Sequence, residues 1–190
     1  MFIQTQDTPN PNTLKFLPGC EVCAQETAEF LTVEEAEQSP LAAKLFTITG
    51  ISSVFFGEDF IAITKKQEEE WEYLKPVLLG IIMEHFTSGA PLFFSAAQKK
   101  ATQFEEESFD PKDSETVQAI KTLLAQRVQP AVAQDGGEIR FKGYKNGIVY
   151  LSMRGACAGC PSATLTLKQG VENLLRHFLP QISHIEAVSE

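Results

Sequence analysis

The chain has 190 residues, 43% of them apolar, and a formal net charge of −9, which suits one large domain or two small ones. Residues 1–97 hold 5 Lys or Arg against 14 Asp or Glu and residues 98–113 hold 3 against 5, whereas residues 114–190 hold 8 against 6. No segment therefore has the strongly basic composition of a nucleic-acid-binding surface, and no apolar run is long enough to span a membrane.

The first 16 residues, MFIQTQDTPNPNTLKF, have neither the basic start nor the apolar run of a secretory signal. We therefore expect an intracellular protein, located in the bacterial cytoplasm or, if a transit peptide has been removed, in the mitochondrial matrix. In such reducing compartments, closely spaced cysteines favour metal binding or redox chemistry over structural disulfides.

Residues 1–97 predict a small α+β domain. Apolar and β-branched runs bounded by turn residues predict strands at 2–7, 13–17, 51–57 and 60–65, the last two forming a hairpin. Helices are predicted at 39–46 and 71–89. Ser39 and Pro40 suit the start of the first helix, and Gly89 suits the end of the second. Pro76 must lie in the first turn of the second helix or kink it.

The stretch QKKATQFEEESFDPKDSE is polar, acidic and without apolar periodicity. Such a composition is typical of a segment that packs against nothing. We predict an acidic flexible linker at residues 98–113, between a domain at 1–97 and a second domain at 114–190.

Residues 114–190 predict a second α+β domain of order α-β-β-α-β. A first helix is indicated by apolar residues on one face, Val117, Ile120, Leu124 and Val128. Strands at 138–144 and 147–153 flank Asn146 and Gly147, a strong hairpin signal. A second helix is indicated by Leu167, Val171, Leu174, Leu175 and Phe178, and it ends before Pro180. A last strand is predicted at 182–188.

Two cysteines, Cys157 and Cys160, stand directly before Pro161 in the motif GACAGCP. Such a pair can close a disulfide, hold half of a zinc site or hold half of an iron–sulfur cluster. Pro161 suits the first position of a helix, so Cys160 is expected at the N-cap and Cys157 in the preceding loop. The positive end of the helix dipole would then favour thiolates by lowering both pKa values.

The number of ligands limits what one chain can hold at this motif. A tetrahedral zinc ion or a cubane cluster needs four ligands, and the second domain offers two thiols. His177 follows Cys160 by 17 residues of helix, roughly 25 Å, and cannot join the site. His184, in a strand, is more typical of a surface or core histidine. The simplest completion is a dimer in which each chain supplies Cys157 and Cys160 across a two-fold axis.

The sequence resembles the NifU-like (Nfu) iron–sulfur proteins over nearly its whole length outside the linker. In the second domain the similarity lies in DGG at 135–137, NGIV at 146–149, CxxCPS at 157–162 and TLKxGVENLL at 166–175. In the first domain it lies in MFIQTQDTPNPNTLKFLPG, SPLAAKLF and ISSVFFGEDFIAITK.

The resemblance implies a scaffold or carrier, not an enzyme. Such a protein binds a 4Fe–4S cluster between two protomers and passes it to apo iron–sulfur proteins, after receiving it from upstream cluster-assembly proteins. Carried over to this chain, the iron ligands are Cys157 and Cys160, and the protein is a homodimer when the cluster is bound. Neither a nucleic acid nor a membrane is expected as a partner. The alternative is a zinc-binding or dithiol redox protein that uses the same two cysteines.

A second CxxC, at Cys20 and Cys23, departs from the family pattern. Pro18 and Gly19 precede it, which indicates a turn. We expect these two cysteines to be incidental. The functional alternative is a four-thiol site within one chain, made from both pairs, for which no dimer would be needed.

Overall fold

The computed structural model describes residues 2–23, 27–94, 107–158 and 161–188, with the backbone alone described at 161–164. The chain divides into two compact units, Met1–Gln103 and Phe104–Glu190. Each unit combines one sheet with helices, so the predicted α+β class is confirmed. Among the described residues, no helix combines the length and apolarity needed to cross a membrane.

The described residues of the first unit form one antiparallel sheet and three helices. The strands are β1 (Gln4–Asp7), β2 (Thr13–Leu17), β3 (Ala28–Phe30), β4 (Ile51–Phe56) and β5 (Ile61–Lys65), in the order β1-β2-β5-β4-β3. The helices are α1 (Val33–Ala36), α2 (Pro40–Phe46) and α3 (Trp71–Ser88). The four predicted strands and both predicted helices are present. β3 and α1 were not predicted, because three or four residues are too few to show a period.

Local signals explain where the helices of the first unit begin and end. The Ser39 hydroxyl accepts a hydrogen bond from the Ala42 amide at 3.2 Å and caps α2, as Ser at an N-cap does. Gly89 ends α3 in the left-handed region, with φ 68°. Pro76 lies inside α3, beyond its first turn, so the Glu72 carbonyl four residues earlier lacks its usual amide donor.

The TPNPN loop between β1 and β2 is fixed by hydrogen bonds. The Thr8 hydroxyl donates to the Asn10 carbonyl at 2.9 Å, and the Asn12 amide donates to Asn10 Oδ1 at 3.0 Å. The Lys65 amide donates to the Asn12 carbonyl at 2.8 Å, and Trp71 Nε1 donates to the Pro11 carbonyl at 3.1 Å. The loop thus joins β2 to the end of β5 and the start of α3.

The described residues of the second unit form a four-stranded mixed sheet and three α-helices. Its strands are β6 (Ser108–Phe109), β7 (Gly137–Lys145), β8 (Ile148–Gly155) and β9 (His184–Ala187), in the order β6-β7-β8-β9. Its helices are α4 (Ser114–Leu123), α5 (Gln129–Gln134) and α6 (Pro161–Phe178). β7 and β8 pair antiparallel, and both outer pairs are parallel. The order α-β-β-α-β is confirmed, and β6 is added at one edge.

The hairpin β7–β8 turns where the sequence predicted. Asn146 and Gly147 both have positive φ, 51° and 83°, as a type I′ turn requires. The register places Gly137 opposite Gly155 and Glu138 opposite Arg154, so the hairpin brings the DGG sequence next to the cysteine motif.

Two segments differ from the sequence prediction. Residues 98–106 of the predicted linker lie outside the described residues, but Ser108 and Phe109 form β6 and pair with Gly143 and Tyr144. This edge strand belongs to the second sheet, which periodicity could not reveal over two residues. The predicted first helix is interrupted by a π-helical turn at Leu124–Val128, which precedes Pro130, a residue without an amide donor.

Candidate metal-ligand site

Cys157 lies in the turn between β8 and α6, and its side chain is 7% exposed. It is a member of the buried core of the second unit, together with Val117, Ile120 and Val171. β8 ends at Gly155, whose φ of 66° starts the turn, and the Ala158 amide closes it by donating to the Gly155 carbonyl at 3.0 Å. The sulfur is therefore positioned by a tight turn and a packed core.

Asp135, Gly136 and Gly137, which we call the DGG corner, form the opposite wall of this turn. The Gly136 carbonyl accepts a hydrogen bond from the Ala156 amide at 3.1 Å, and Gly136 itself has φ 80°. A Cβ at Gly137 would lie 2.6 Å from Cys157 Sγ and 2.8 Å from the Arg154 carbonyl oxygen. No side chain fits there, so the glycine allows the backbone of β7 to approach the sulfur.

The electrostatic environment of Cys157 keeps it protonated. Burial and, second, the negative charge of Asp135 raise the pKa of Cys157 to about 12, from an ordinary value of 9.0. Both effects oppose the thiolate, since a buried anion loses hydration and a neighbouring carboxylate repels it.

The pKa of Cys157 thus differs in direction from the sequence prediction. The helix dipole was expected to lower it, but the dipole acts mainly within the first turn, and Cys157 precedes α6 by four residues. Burial against the core is the larger of the two causes that raise the pKa of Cys157. Cys160, the other predicted ligand, lies outside the described residues, as does the predicted N-cap interaction.

The other candidate ligands lie apart from Cys157 in the chain and in the fold. His177 is exposed near the end of α6, and His184 starts β9 with its Nε2 3.3 Å from Glu186 Oε1. His184 lies in a strand and His177 near the C-terminal end of α6, as the sequence predicted for both elements. Within the described residues, no group of three or more His, Cys, Asp or Glu side chains could hold a metal ion.

The second CxxC lies in the first unit. Cys20 is exposed and Cys23 is half-buried against the core of that unit. The Val22 and Cys23 amides both donate to the Glu58 carbonyl, at 2.7 and 3.2 Å, which fixes the turn after Gly19. The turn predicted from Pro18 and Gly19 is present, and it suffices to explain this segment structurally.

Asp135, Gly136 and Gly137 contribute to the site, although the sequence alone gave them no role beyond a family similarity. A pair of glycines before a strand indicates a backbone position that excludes side chains. Only the register of β7 with β8 shows that the excluded side chain would meet Cys157.

Two family models match the chain, "Scaffold protein Nfu/NifU N terminal" over residues 3–89 and "NifU-like domain" over residues 120–186. The chain is also 46% identical over 191 residues to "NFU1 iron-sulfur cluster scaffold homolog, mitochondrial" of Homo sapiens, a match that covers 100% of this chain and 73% of the relative. The chain belongs to the Nfu/NifU scaffold family.

Other members of the Nfu/NifU family are similar over the same region. A relative of the same name from Drosophila willistoni is 48% identical over 189 residues, and this chain spans 64% of its length. A solution structure of a NifU-like protein from Saccharomyces cerevisiae matches 50% of this chain and 86% of its own, with 26% identity and a TM-score of 0.45. The residues that the NifU-like domain model matches, 120–186, include both the DGG corner and Cys157.

Proposed function

We propose that this Nfu/NifU protein is a carrier that binds a 4Fe–4S cluster through Cys157 and Cys160 and transfers it to apo-proteins. The cluster is cargo, received from upstream cluster-assembly proteins and delivered to iron–sulfur client proteins. The protein acts by binding and release rather than by catalysing the turnover of a substrate. Membership of the scaffold family supports the general role, and the environment of Cys157 supports its part in it.

The observation that supports a ligand role most directly is the geometry around Cys157. A Cβ at Gly137 would lie 2.6 Å from Sγ, so the sulfur is held between a tight turn and a side-chain-free backbone. The raised pKa of about 12 makes the thiol a poor nucleophile at neutral pH and protects it from oxidation. A metal ion binds cysteine as the thiolate, so iron binding must displace this proton and offset the raised pKa. The DGG corner holds the sulfur in place until then.

The raised pKa of Cys157 weighs against the dithiol redox alternative. Disulfide oxidoreductases depend on a cysteine whose pKa is lowered, because the thiolate is the attacking species. Cys157 has the opposite shift. A zinc-binding protein remains the second candidate, since zinc also binds thiolates and the same two cysteines would supply half of its ligands.

We propose that the cluster is shared between two protomers. The sequence holds four cysteines, and the second unit has only Cys157 and Cys160. A four-iron cluster needs four protein ligands, which a two-fold symmetric pair supplies from two identical motifs. A cluster held between two chains by two turns is exposed and exchangeable, as delivery requires.

The organisation proposed for the carrier keeps the cluster-binding domain at 114–190, the Nfu N-terminal-like domain at 1–97 and an acidic connection between them. The relatives are named mitochondrial, so the mitochondrial matrix is one compartment for this chain. The bacterial cytoplasm is the other, and both contain cluster-assembly proteins and apo clients.

Anaerobic reconstitution with iron and sulfide, followed by native mass spectrometry, tests the proposal. We expect two chains with one four-iron cluster and an iron-to-chain ratio near two. Cys157→Ser and Cys160→Ser should each abolish cluster binding, because two of the four ligands are lost from the dimer. A colourless protein that retains one zinc ion per two chains would instead establish the zinc alternative.

The double variant Cys20→Ser, Cys23→Ser is the matched control, since it removes a CxxC of the same spacing from the other unit. Cluster content and the mass of the holo dimer should stay unchanged. One cluster in a single chain, lost in this double variant, would show an intrachain site from both pairs and would refute the shared site. Transfer is tested separately, by activation of an apo 4Fe–4S enzyme with the loaded protein.

A further inference from the structure

Helix α3 of the first unit presents an apolar surface to solvent. Tyr73, Val77 and Met83 are 75%, 47% and 41% exposed, and Pro76 and Gly80 are exposed between them. The spacing of these five residues places them along one side of the helix, and we call this set the outer stripe. The opposite side of α3 is buried through Leu74, Leu78, Ile82 and His85.

The composition of α3 is unusual for a helix that covers a sheet on one side only. A surface helix normally has polar residues on its outer face. The outer face of α3 instead carries three large apolar side chains. Single exposed apolar residues are common on protein surfaces, whereas several together are typical of a binding surface. Packing within the first unit already uses the inner face, so it does not account for the outer stripe.

Gly80 lies in the middle of the stripe. Among the residues that the structure describes, a Cβ there would meet nothing within 4 Å, so none of them requires a glycine at this position. Glycine in a helix interior destabilises by about 1 kcal/mol relative to alanine. The missing side chain at Gly80 leaves a groove between Val77 and Met83. Another helix can pack closely into such a groove.

The charges around the outer stripe indicate which helix fits. Glu72 is exposed beside it, and Glu68, Glu69 and Glu70 precede α3. Glu84, four residues after Gly80, is exposed and forms an ion pair with Lys44 of α2 at 3.1 Å. Lys75 is the only Lys or Arg within α3, and residues 1–97 hold 14 acidic against 5 basic residues. A partner that covers the stripe therefore needs an apolar face flanked by Lys or Arg.

We propose that the outer stripe of α3 is a docking surface for a basic amphipathic helix of a partner protein. The helix lays its apolar face on Tyr73, Val77 and Met83, with its backbone over Gly80. Its cations lie near the glutamates at the N-terminal end of the stripe. Methionine adapts its shape to such contacts, and the tyrosine ring adds a large contact area. The surface is independent of the cysteines and does not rest on the cluster-carrier proposal.

The test uses the full chain and two synthetic helical peptides of about 18 residues, long enough for a helix of roughly 27 Å. One peptide has leucines on one face and lysines on the other, and the second has glutamates in place of the lysines. Isothermal titration should show salt-dependent binding of the lysine peptide and none of the glutamate peptide. The double variant Val77→Asp, Met83→Asp should weaken lysine-peptide binding by about tenfold or more, equivalent to about 1.4 kcal/mol.

Weaker binding of the lysine peptide by this variant distinguishes apolar docking from simple charge attraction. Adding two aspartates would strengthen non-specific binding of a cationic peptide, so weaker binding can arise only from lost apolar contact. The matched control is Leu31→Asp, Val33→Asp, which changes two other exposed apolar residues of the same unit. The affinity of this control for the lysine peptide should stay within about twofold of that of the parent chain. The midpoint of unfolding, followed by Trp71 fluorescence, tests whether both variants fold.

Several results would overturn the proposal. Equal affinity of the parent chain and the Val77, Met83 variant would show that the peptide binds elsewhere. A concentration-dependent dimer in sedimentation that this variant abolishes would assign the stripe to a second copy of the chain. Co-sedimentation with anionic or neutral vesicles, lost in the variant, would assign it to lipid. Cluster loading of the variant should be unchanged, so failure here leaves the carrier proposal standing.

Discussion

The backbone of Gly137 and the sulfur of Cys157 lie so close that a Cβ on residue 137 would meet Sγ at 2.6 Å. This approach depends on the pairing of β7 with β8, which sets Gly137 opposite Gly155, two residues before the cysteine. The conformation of the candidate ligand is therefore determined by a glycine that is distant in sequence.

Replacing this glycine should disturb the site. In Gly137→Ala the new methyl group collides with Cys157 Sγ and the Arg154 carbonyl, and overpacking of this kind destabilises by roughly 1–3 kcal/mol. We expect faster hydrogen exchange in residues 137–155 and reduced iron content after reconstitution. Gly170→Ala is the control, because a Cβ there meets nothing within 4 Å and should stabilise α6 by about 0.5–1 kcal/mol. Normal iron loading of Gly137→Ala would show that the close approach is not needed for the ligand role.

Alkylation should distinguish the cysteines of the apo protein. Because the pKa of Cys157 is raised to about 12 from 9.0, its thiolate fraction near pH 8 is about a thousandfold lower than in the unfolded chain. We expect iodoacetamide to label the exposed Cys20 quickly and Cys157 very slowly, as read by peptide mass spectrometry. In denaturant the rates should become similar.

A variant of the neighbouring carboxylate separates the two causes of this shift. Asp135→Asn removes the repulsion but leaves the burial, which is the larger cause. The alkylation rate of Cys157 should rise, yet remain far below that of the unfolded chain. Rapid labelling of Cys157 in the folded parent protein would contradict the buried, protonated state described above.

The stability of the first unit should fall in mild acid. His85 is buried in α3, and burial, followed by the charge of Lys44, lowers its pKa. The unfolded chain then binds the proton more readily than the folded chain, so the His85 contribution is present above the unfolded pKa, near 6.5, and is lost as pH falls below it.

Trp71 is the only tryptophan and lies at the start of α3, so its fluorescence reports unfolding of this unit. Urea unfolding between neutral pH and about pH 5 should show a falling midpoint in the parent chain. In His85→Gln, which cannot titrate there, the decrease should be smaller. An identical pH dependence in both proteins would assign the effect to other groups.

The loop after β1 should be sensitive at Asn10. Its side chain is buried, and Oδ1 accepts the Asn12 amide while its backbone is bonded to Thr8 and Thr13. Asn10→Ala leaves a partly buried amide without its acceptor, which costs about 1–3 kcal/mol. The Trp71 transition in urea should shift to lower concentration. Asn173→Ala, an exposed asparagine in the other unit, should leave that transition in place.

Local chemistry made much of this protein predictable. Strands β2, β4 and β5, helix α2 and the hairpin at Asn146 and Gly147 follow from runs of apolar residues and from turn residues, whose preferences act within a few positions. The cysteine spacing and the start of α6 at Pro161 are local in the same way.

What the sequence could not determine depends on contacts between distant positions. The short strands β3 and β6 exist only because a longer neighbour pairs with them, at β4 and β7. The protonated state of Cys157 follows from burial and, second, from Asp135, 22 positions earlier in the chain. The sequence by itself determined the spacing of the cysteines that are proposed to bind iron. The tertiary structure decided how Cys157 is held, because the DGG corner reaches it only once β7 and β8 have paired.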